Sequence, residues 1–137
     1  MRKLKVLLIP VAVILLLLLQ ACSKSDDDDD NGGTPVNRRN VKFEVSGNFT
    51  GTLSATYVNA SGGGTNEQIT TALPWVKQIA YAATVPSTGI TVGGTNGIGG
   101  QSIVLKVFAG GTQISSTPAT ANPDGTIIVT APSYVFP

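Results

Sequence analysis

The stretch "VKFEVSGNFTGTLSATYV", Val41–Val58, decides the fold. Val41, Phe43 and Val45 alternate with Lys42, Glu44 and Ser46, and Leu53, Ala55 and Tyr57 alternate with Thr52, Ser54 and Thr56. Successive side chains of a strand point to opposite faces, so each run predicts a strand with one buried and one wet face. Gly47-Asn48 separates the two runs and marks a chain reversal. The same reading extends to Pro137. "NASGGG", Asn59–Gly64, reads as a loop, followed by a strand around Gln68–Ala72. Pro74 has no N–H to give to a ladder and must sit at a strand end, an edge or a bulge. Trp75, Lys77, Ile79 and Tyr81 then alternate with Val76, Gln78 and Ala80.

Ile90 and Val92 predict a short strand, and "GGTNGIGG", Gly93–Gly100, reads as a mobile connector. Ile103, Leu105 and Val107 form one face of the next strand. Gly110-Gly111 suits a two-residue hairpin turn, with a return strand over Thr112 to about Thr117. Asn122-Pro123-Asp124-Gly125 fits a tight turn before a strand at Thr126–Thr130 and a closing segment at Tyr134–Phe136. No stretch carries the 3.6-residue period of an amphipathic helix. The expected fold is all-β: a small immunoglobulin-like sandwich of about seven or eight antiparallel strands, with a small barrel as the alternative.

The chain has 137 residues and divides by composition into a leader (1–21), an acidic flexible tether (22–40) and the β domain (41–137). The one Trp, three Tyr and four Phe all fall in the last part, which can bury a core without metal or disulfide. The leader carries Arg2, Lys3 and Lys5, then an apolar run from Val6 to Leu19 broken only by Pro10. A spanning helix needs roughly 20 apolar residues, so this shorter run predicts a signal peptide.

Leu19-Gln20-Ala21-Cys22 follows, and it resembles a bacterial lipobox, with Gln20 as in the variant frequent in Bacteroidota. That resemblance implies signal-peptidase recognition through Leu19, Gln20 and Ala21, and attachment of diacylglycerol and an N-acyl chain, a palmitate for example, to Cys22. The thiol is the nucleophile that such chemistry needs. Each buried methylene of an anchor contributes about 0.8 kcal/mol, and stable anchoring takes more than one chain. Behind Cys22, Ser25 and Asp26, Asp27 and Asp28 begin an acidic run that continues to Asp30. Like charges in a row repel and stay extended. The run resembles the export signal of surface lipoproteins in Bacteroidota, which implies an outer-membrane protein facing outward; a plain acidic spacer is the other reading. A calcium site there lacks the turn geometry that would converge oxygens on one ion.

"VKFEVSGNFTGTLSATYVNASGG" (Val41–Gly63), "ALPWVKQI" (Ala72–Ile79) and "KVFAGGTQISS" (Lys106–Ser116) together resemble the MmpS-type domain of transport accessory proteins. Its pattern has an aromatic-Glu-Val-Thr/Ser-Gly opening, a Thr-Tyr strand, a Leu-Pro-Trp strand start and a late hairpin. The resemblance implies an accessory subunit of an MmpL/RND-like envelope transporter. The lipid-attachment site stands where that family usually has a transmembrane helix.

The chain has no His and one Cys. A Ser-His-Asp or Cys-His site and a Cys/His zinc site therefore cannot be built. The β domain has three carboxylates: Glu44 on a polar strand face, Glu67 after a loop and Asp124 in a turn. Two could pair as in a glycosidase, but each position suits a solvated carboxylate. A Ser-Lys dyad with Lys77 or Lys106 has no motif behind it. "GGTNGIGG" lacks the Gly-Lys-Ser/Thr ending and the following helix of a phosphate loop. Trp75, Tyr57 and Tyr81 read as core residues, with a sugar-stacking platform as the alternative for Trp75. No basic stripe points to nucleic acid. The expectation is a non-enzyme without catalytic or metal residues and without a cofactor beyond the lipid on Cys22. Its partners would be the membrane, through the anchor, and a protein or glycan. Replacing Cys22→Ser is expected to abolish maturation and release the protein from the membrane pellet; fractionation of cells reads both.

Overall fold

The computed structural model describes residues 37–137. The leader, Leu19, Gln20, Ala21, Cys22, Ser25, Asp26, Asp27 and Asp28 lie outside the described residues. Ten strands follow in order: β1 (Asn40–Gly47), β2 (Thr52–Val58), β3 (Gly64–Ile69), β4 (Trp75–Ala80), β5 (Ser87–Thr88), β6 (Ile90–Thr95), β7 (Ser102–Ala109), β8 (Thr112–Thr120), β9 (Ile127–Thr130) and β10 (Tyr134–Val135). Eight of them build a sandwich of two antiparallel sheets, ordered β4-β1-β7-β8 and β3-β2-β6-β9, and no barrel closes. The strands β5 and β10 pair as a short ribbon.

The alternation of Val41–Val58 is realised as expected. Val41, Phe43 and Val45 of β1 and Leu53, Ala55 and Tyr57 of β2 are buried, while their neighbours are half-buried or exposed. Phe43 meets Tyr57 between the sheets with ring centroids 6.1 Å apart. Ile79, Ile103, Leu105, Val107, Val92 and Val129 complete the layer. Burying one such side chain contributes about 1.5–3 kcal/mol, so the inward faces supply most of the stabilisation.

Three boundaries differ from the sequence expectation. Strand β3 starts at Gly64, not near Gln68. The cause is Asn59, whose Oδ1 accepts from Ser61 N (3.1 Å) and Gly63 N (3.0 Å) and turns the chain within a few residues. Gly93, Gly94 and Thr95 belong to β6 rather than to a connector. Strand β8 runs to Thr120, with Pro118 opposite Val104 on the sheet edge, where its missing N–H costs no ladder bond. The Gly110-Gly111 hairpin is as expected: both residues take positive φ, 57° and 83°, as a type I′ turn requires. Pro74 precedes β4, after a cis Leu73–Pro74 bond.

Contacts of the domain reach back into the segment expected as tether. Arg39 Nη1 donates to Ala82 O and Val85 O, both at 2.8 Å, and its guanidinium lies 4.7 Å from the Phe136 ring centre. Phe136 packs on Tyr81, with centroids 5.1 Å apart, and the Tyr81 hydroxyl donates to Val58 O at 2.6 Å. The start of the domain and its C-terminal segment are thus fastened at one end of the sandwich.

The opposite end explains the glycine run. A Cβ on Gly94 would lie 2.6 Å from Leu53 Cδ2 and 2.8 Å from Phe49 Cε1, and one on Gly97 would lie 2.5 Å from Phe49 Cζ. The buried Phe49 ring occupies the space those side chains would need. Gly97→Ala is expected to cost about 1–3 kcal/mol through overpacking. The same change in a Phe49→Ala background should cost at least about 1 kcal/mol less, by the coupling expected of groups in contact. Urea unfolding of the four proteins reads the cycle.

Candidate functional site

Following the strand directions, the domain starts at one end and four connections lie at the other, β1–β2, β3–β4, β6–β7 and β8–β9, of which the first and the last two meet. They are tied by backbone and carboxamide hydrogen bonds. Asn48 N donates to Ser102 O (3.0 Å), and Ser102 N returns to Asn48 Oδ1 (2.7 Å). Gln101 Oε1 accepts from Thr50 N (3.1 Å) and Ile98 N (3.0 Å), so one side chain holds two loops. Gly97 N donates to Gly125 O (3.0 Å), and Ala121 N to Gln101 O (2.7 Å). The part of the "GGTNGIGG" run beyond β6 therefore does not hang free; it is the middle of a hydrogen-bonded loop surface. Ile98 projects from it and is 66% exposed.

Asp124 lies in the same surface. Its Oδ1 accepts from Thr126 Oγ1 (2.7 Å) and Thr126 N (3.0 Å), and these bonds, the hydroxyl first, hold its pKa below the usual carboxylate value. Asn122 and Gly125 close the expected tight turn, Gly125 N donating to Asn122 O at 2.9 Å with Gly125 at φ 77°.

The other two carboxylates sit elsewhere. Glu44 stands on the outer face of the β4-β1-β7-β8 sheet, 3.3 Å from Lys42 Nζ and 3.8 Å from Lys106 Nζ. Glu67 is on the inward side of β3, opposite Ala55 in the β2–β3 register. It meets Lys77 Nζ from β4 at 2.6 Å and accepts from the Tyr57 hydroxyl at 2.6 Å. Glu44, Glu67 and Asp124 are not brought together, so a glycosidase-like pair has no geometry to rest on. Lys77 is engaged by Glu67 and Lys106 by Glu44, and neither forms a dyad with a serine among the described hydrogen bonds. Trp75, Tyr57 and Tyr81 are buried core residues, and a sugar platform at Trp75 is not available. No group of three or more His, Cys, Asp or Glu among the described residues could hold a metal ion.

The Tyr57–Glu67–Lys77 contact escaped the sequence reading, which placed Glu67 beyond a loop. Once β3 is known to start at Gly64, Glu67 falls on an inward position, and Lys77 shares its strand face with Trp75 and Ile79. The cluster closes the β3/β4 side of the sandwich. Lys77 first, then Tyr57, lowers the Glu67 pKa; Glu67 in turn raises that of Lys77. Burial, then the bond to Glu67, raises that of Tyr57.

No known protein family matches the chain, no curated protein matches it, and no solved structure matches it.

The pH dependence follows in sign. Because the folded-state pKa of Glu67 lies below its ordinary 4.5, its stabilisation is present above that value and is lost as the pH falls through the lowered one. Because those of Lys77 and Tyr57 lie above 10.5 and 10.0, their contributions are complete below those values and fade as the pH rises past them. Glu67→Gln is expected to cost about 1 kcal/mol at neutral pH, in keeping with a half-exposed charged pair. It should also make the decline between about pH 5 and pH 3 shallower than in the parent. Urea denaturation across that range measures both.

Proposed function

We propose that this chain is a non-enzymatic, lipid-anchored envelope protein whose β-sandwich presents a binding surface, held at the outer membrane and facing the cell exterior. The order of leader, Leu19-Gln20-Ala21-Cys22 and acidic run supports the anchor. The observation that carries the binding role is the polarity of the domain. The chain enters at Asn37, at the end fastened by Arg39, while the hydrogen-bonded loops bearing Ile98 occupy the other end. A domain tethered through its N-terminus would hold those loops farthest from the lipid. Rigid loops on a β scaffold suit recognition, since little ordering entropy is lost on binding.

Protease added to intact cells should remove the domain while periplasmic markers survive, and Ile98→Asp should weaken binding of the partner at least about ten-fold without lowering stability. A domain protected until the outer membrane is opened, and crosslinked through its loops to a transport complex, would replace this reading with that of a transporter accessory subunit, the role implied by the MmpS resemblance. A domain that is protected and crosslinks to nothing would overturn both.

A further inference from the structure

A second surface lies away from the loops, on the outer face of the β4-β1-β7-β8 sheet. A cleft of about 650 Å³ there is lined by Asn40, Lys42, Gln78, Ala80, Phe108 and Gly111. Its size falls within the range of small-ligand sites, roughly 300–1,000 Å³. The register sets Phe108, Lys42 and Gln78 side by side on β7, β1 and β4. Lys42 is not a loose surface lysine. Its Nζ rests 4.0 Å from the Phe108 ring centre and 3.3 Å from Glu44 Oε2. The ring holds the ammonium at the edge of the cleft at little further entropic cost on binding, while the carboxylate competes with a ligand for its charge.

The charges of this face do not balance. Lys42 and Lys106 share the single carboxylate of Glu44, at 3.3 and 3.8 Å, and the strands of the sheet carry no other acid on that face. One positive charge is left over. A ligand that brings one carboxylate would complete the set. The rest of the lining is neutral: the carboxamides of Asn40 and Gln78 offer paired donors and acceptors of the kind that hydroxyls use, and Phe108 and Ala80 give an apolar wall. The site is an open groove on a sheet face, suited to a unit within a longer chain.

We propose that this cleft binds an acidic glycan, with the carboxylate of a uronic-acid unit on Lys42 and its hydroxyls on Gln78 and Asn40. The interaction goes beyond the loop surface above and requires neither Ile98 nor the lipid.

The full-length chain, purified in detergent, should be titrated with trigalacturonate, with the neutral galactotriose and with a tetraglutamate peptide, by calorimetry and by amide NMR. The acidic sugar should bind, should shift the amides of Asn40, Lys42, Gln78 and Phe108, and should weaken as salt is raised. Lys42→Gln should reduce affinity about ten-fold, the loss of one charge-assisted contact. Glu44→Gln frees both lysines and should raise affinity several-fold, a gain that misfolding cannot produce. Equal binding of the neutral sugar, shifts confined to other residues, no effect of Glu44→Gln, or no binding by about 10 mM would overturn the proposal. Tighter binding of tetraglutamate with shifts along the free edge of β4 would assign the cleft to an acidic peptide instead. Because the titration uses isolated protein, it stands or falls separately from protease shaving of cells.

Discussion

The packing of β1 on β2 across the interior is the contact from which the domain is built. Val41, Phe43 and Val45 face Leu53, Ala55 and Tyr57, and the two strands are neighbours in sequence. Each is an inner strand of its own sheet, with β4 and β7 added to β1, and β3 and β6 added to β2. In each ladder built on them, a slip of one residue would turn the added strand's apolar set outward, so burial against β1 and β2 fixes the register of their neighbours. The loop surface inherits its geometry from the same place. Asn48, Phe49 and Thr50 are the short bridge between the two strands; the β6–β7 loop is laid against that bridge, and the β8–β9 loop against the β6–β7 loop.

A sandwich of two open sheets leaves four edges with unpaired backbone groups, which are hazards for unwanted pairing between molecules. Here each edge is protected in its own way. Strands β3 and β4 turn a charge inward, Glu67 and Lys77, so that a strand added to either would meet an ion pair. Strand β8 carries an irregularity where Ile114 has no partner in the register, and Pro118 removes a donor. Strand β9 spans only Ile127–Thr130. The Glu67–Lys77 contact thus has two roles: it seals the side of the core, and it discourages growth of the sheets.

The fold was legible because the pattern that drives it is local in sequence. Alternation shows which residues a strand buries, whatever it pairs with, and the glycine pair at Gly110-Gly111 specifies its own turn. Boundaries at Gly64 and Gly93 were not legible. The first depends on side-chain bonds of Asn59 that make "NASGGG" a tight turn. The second depends on Phe49, distant in sequence, whose ring takes the place of side chains at Gly94 and Gly97. The same limit hid the Tyr57–Glu67–Lys77 cluster and the row of Phe108, Lys42 and Gln78. The row is assembled across strands that are neighbours in space but not in sequence, in the order β4-β1-β7, and the cluster joins β3 of one sheet to β4 of the other across the gap between them.

The fastening at Arg39 also determines how the domain meets mechanical load. Tension arriving through Asn37 passes at once into β1, which is bonded along its length to β4 on one side and β7 on the other. Those ladder bonds lie across the direction of pull. Extracting β1 must break two rows of them together in shear, rather than open one row bond by bond from its end. The cation stacked on Phe136 and the two carbonyl bonds of Arg39 add a first point of resistance ahead of the strand. A strand at the edge of a sheet would peel; placing the first strand in the interior makes the domain resist a pull on Asn37.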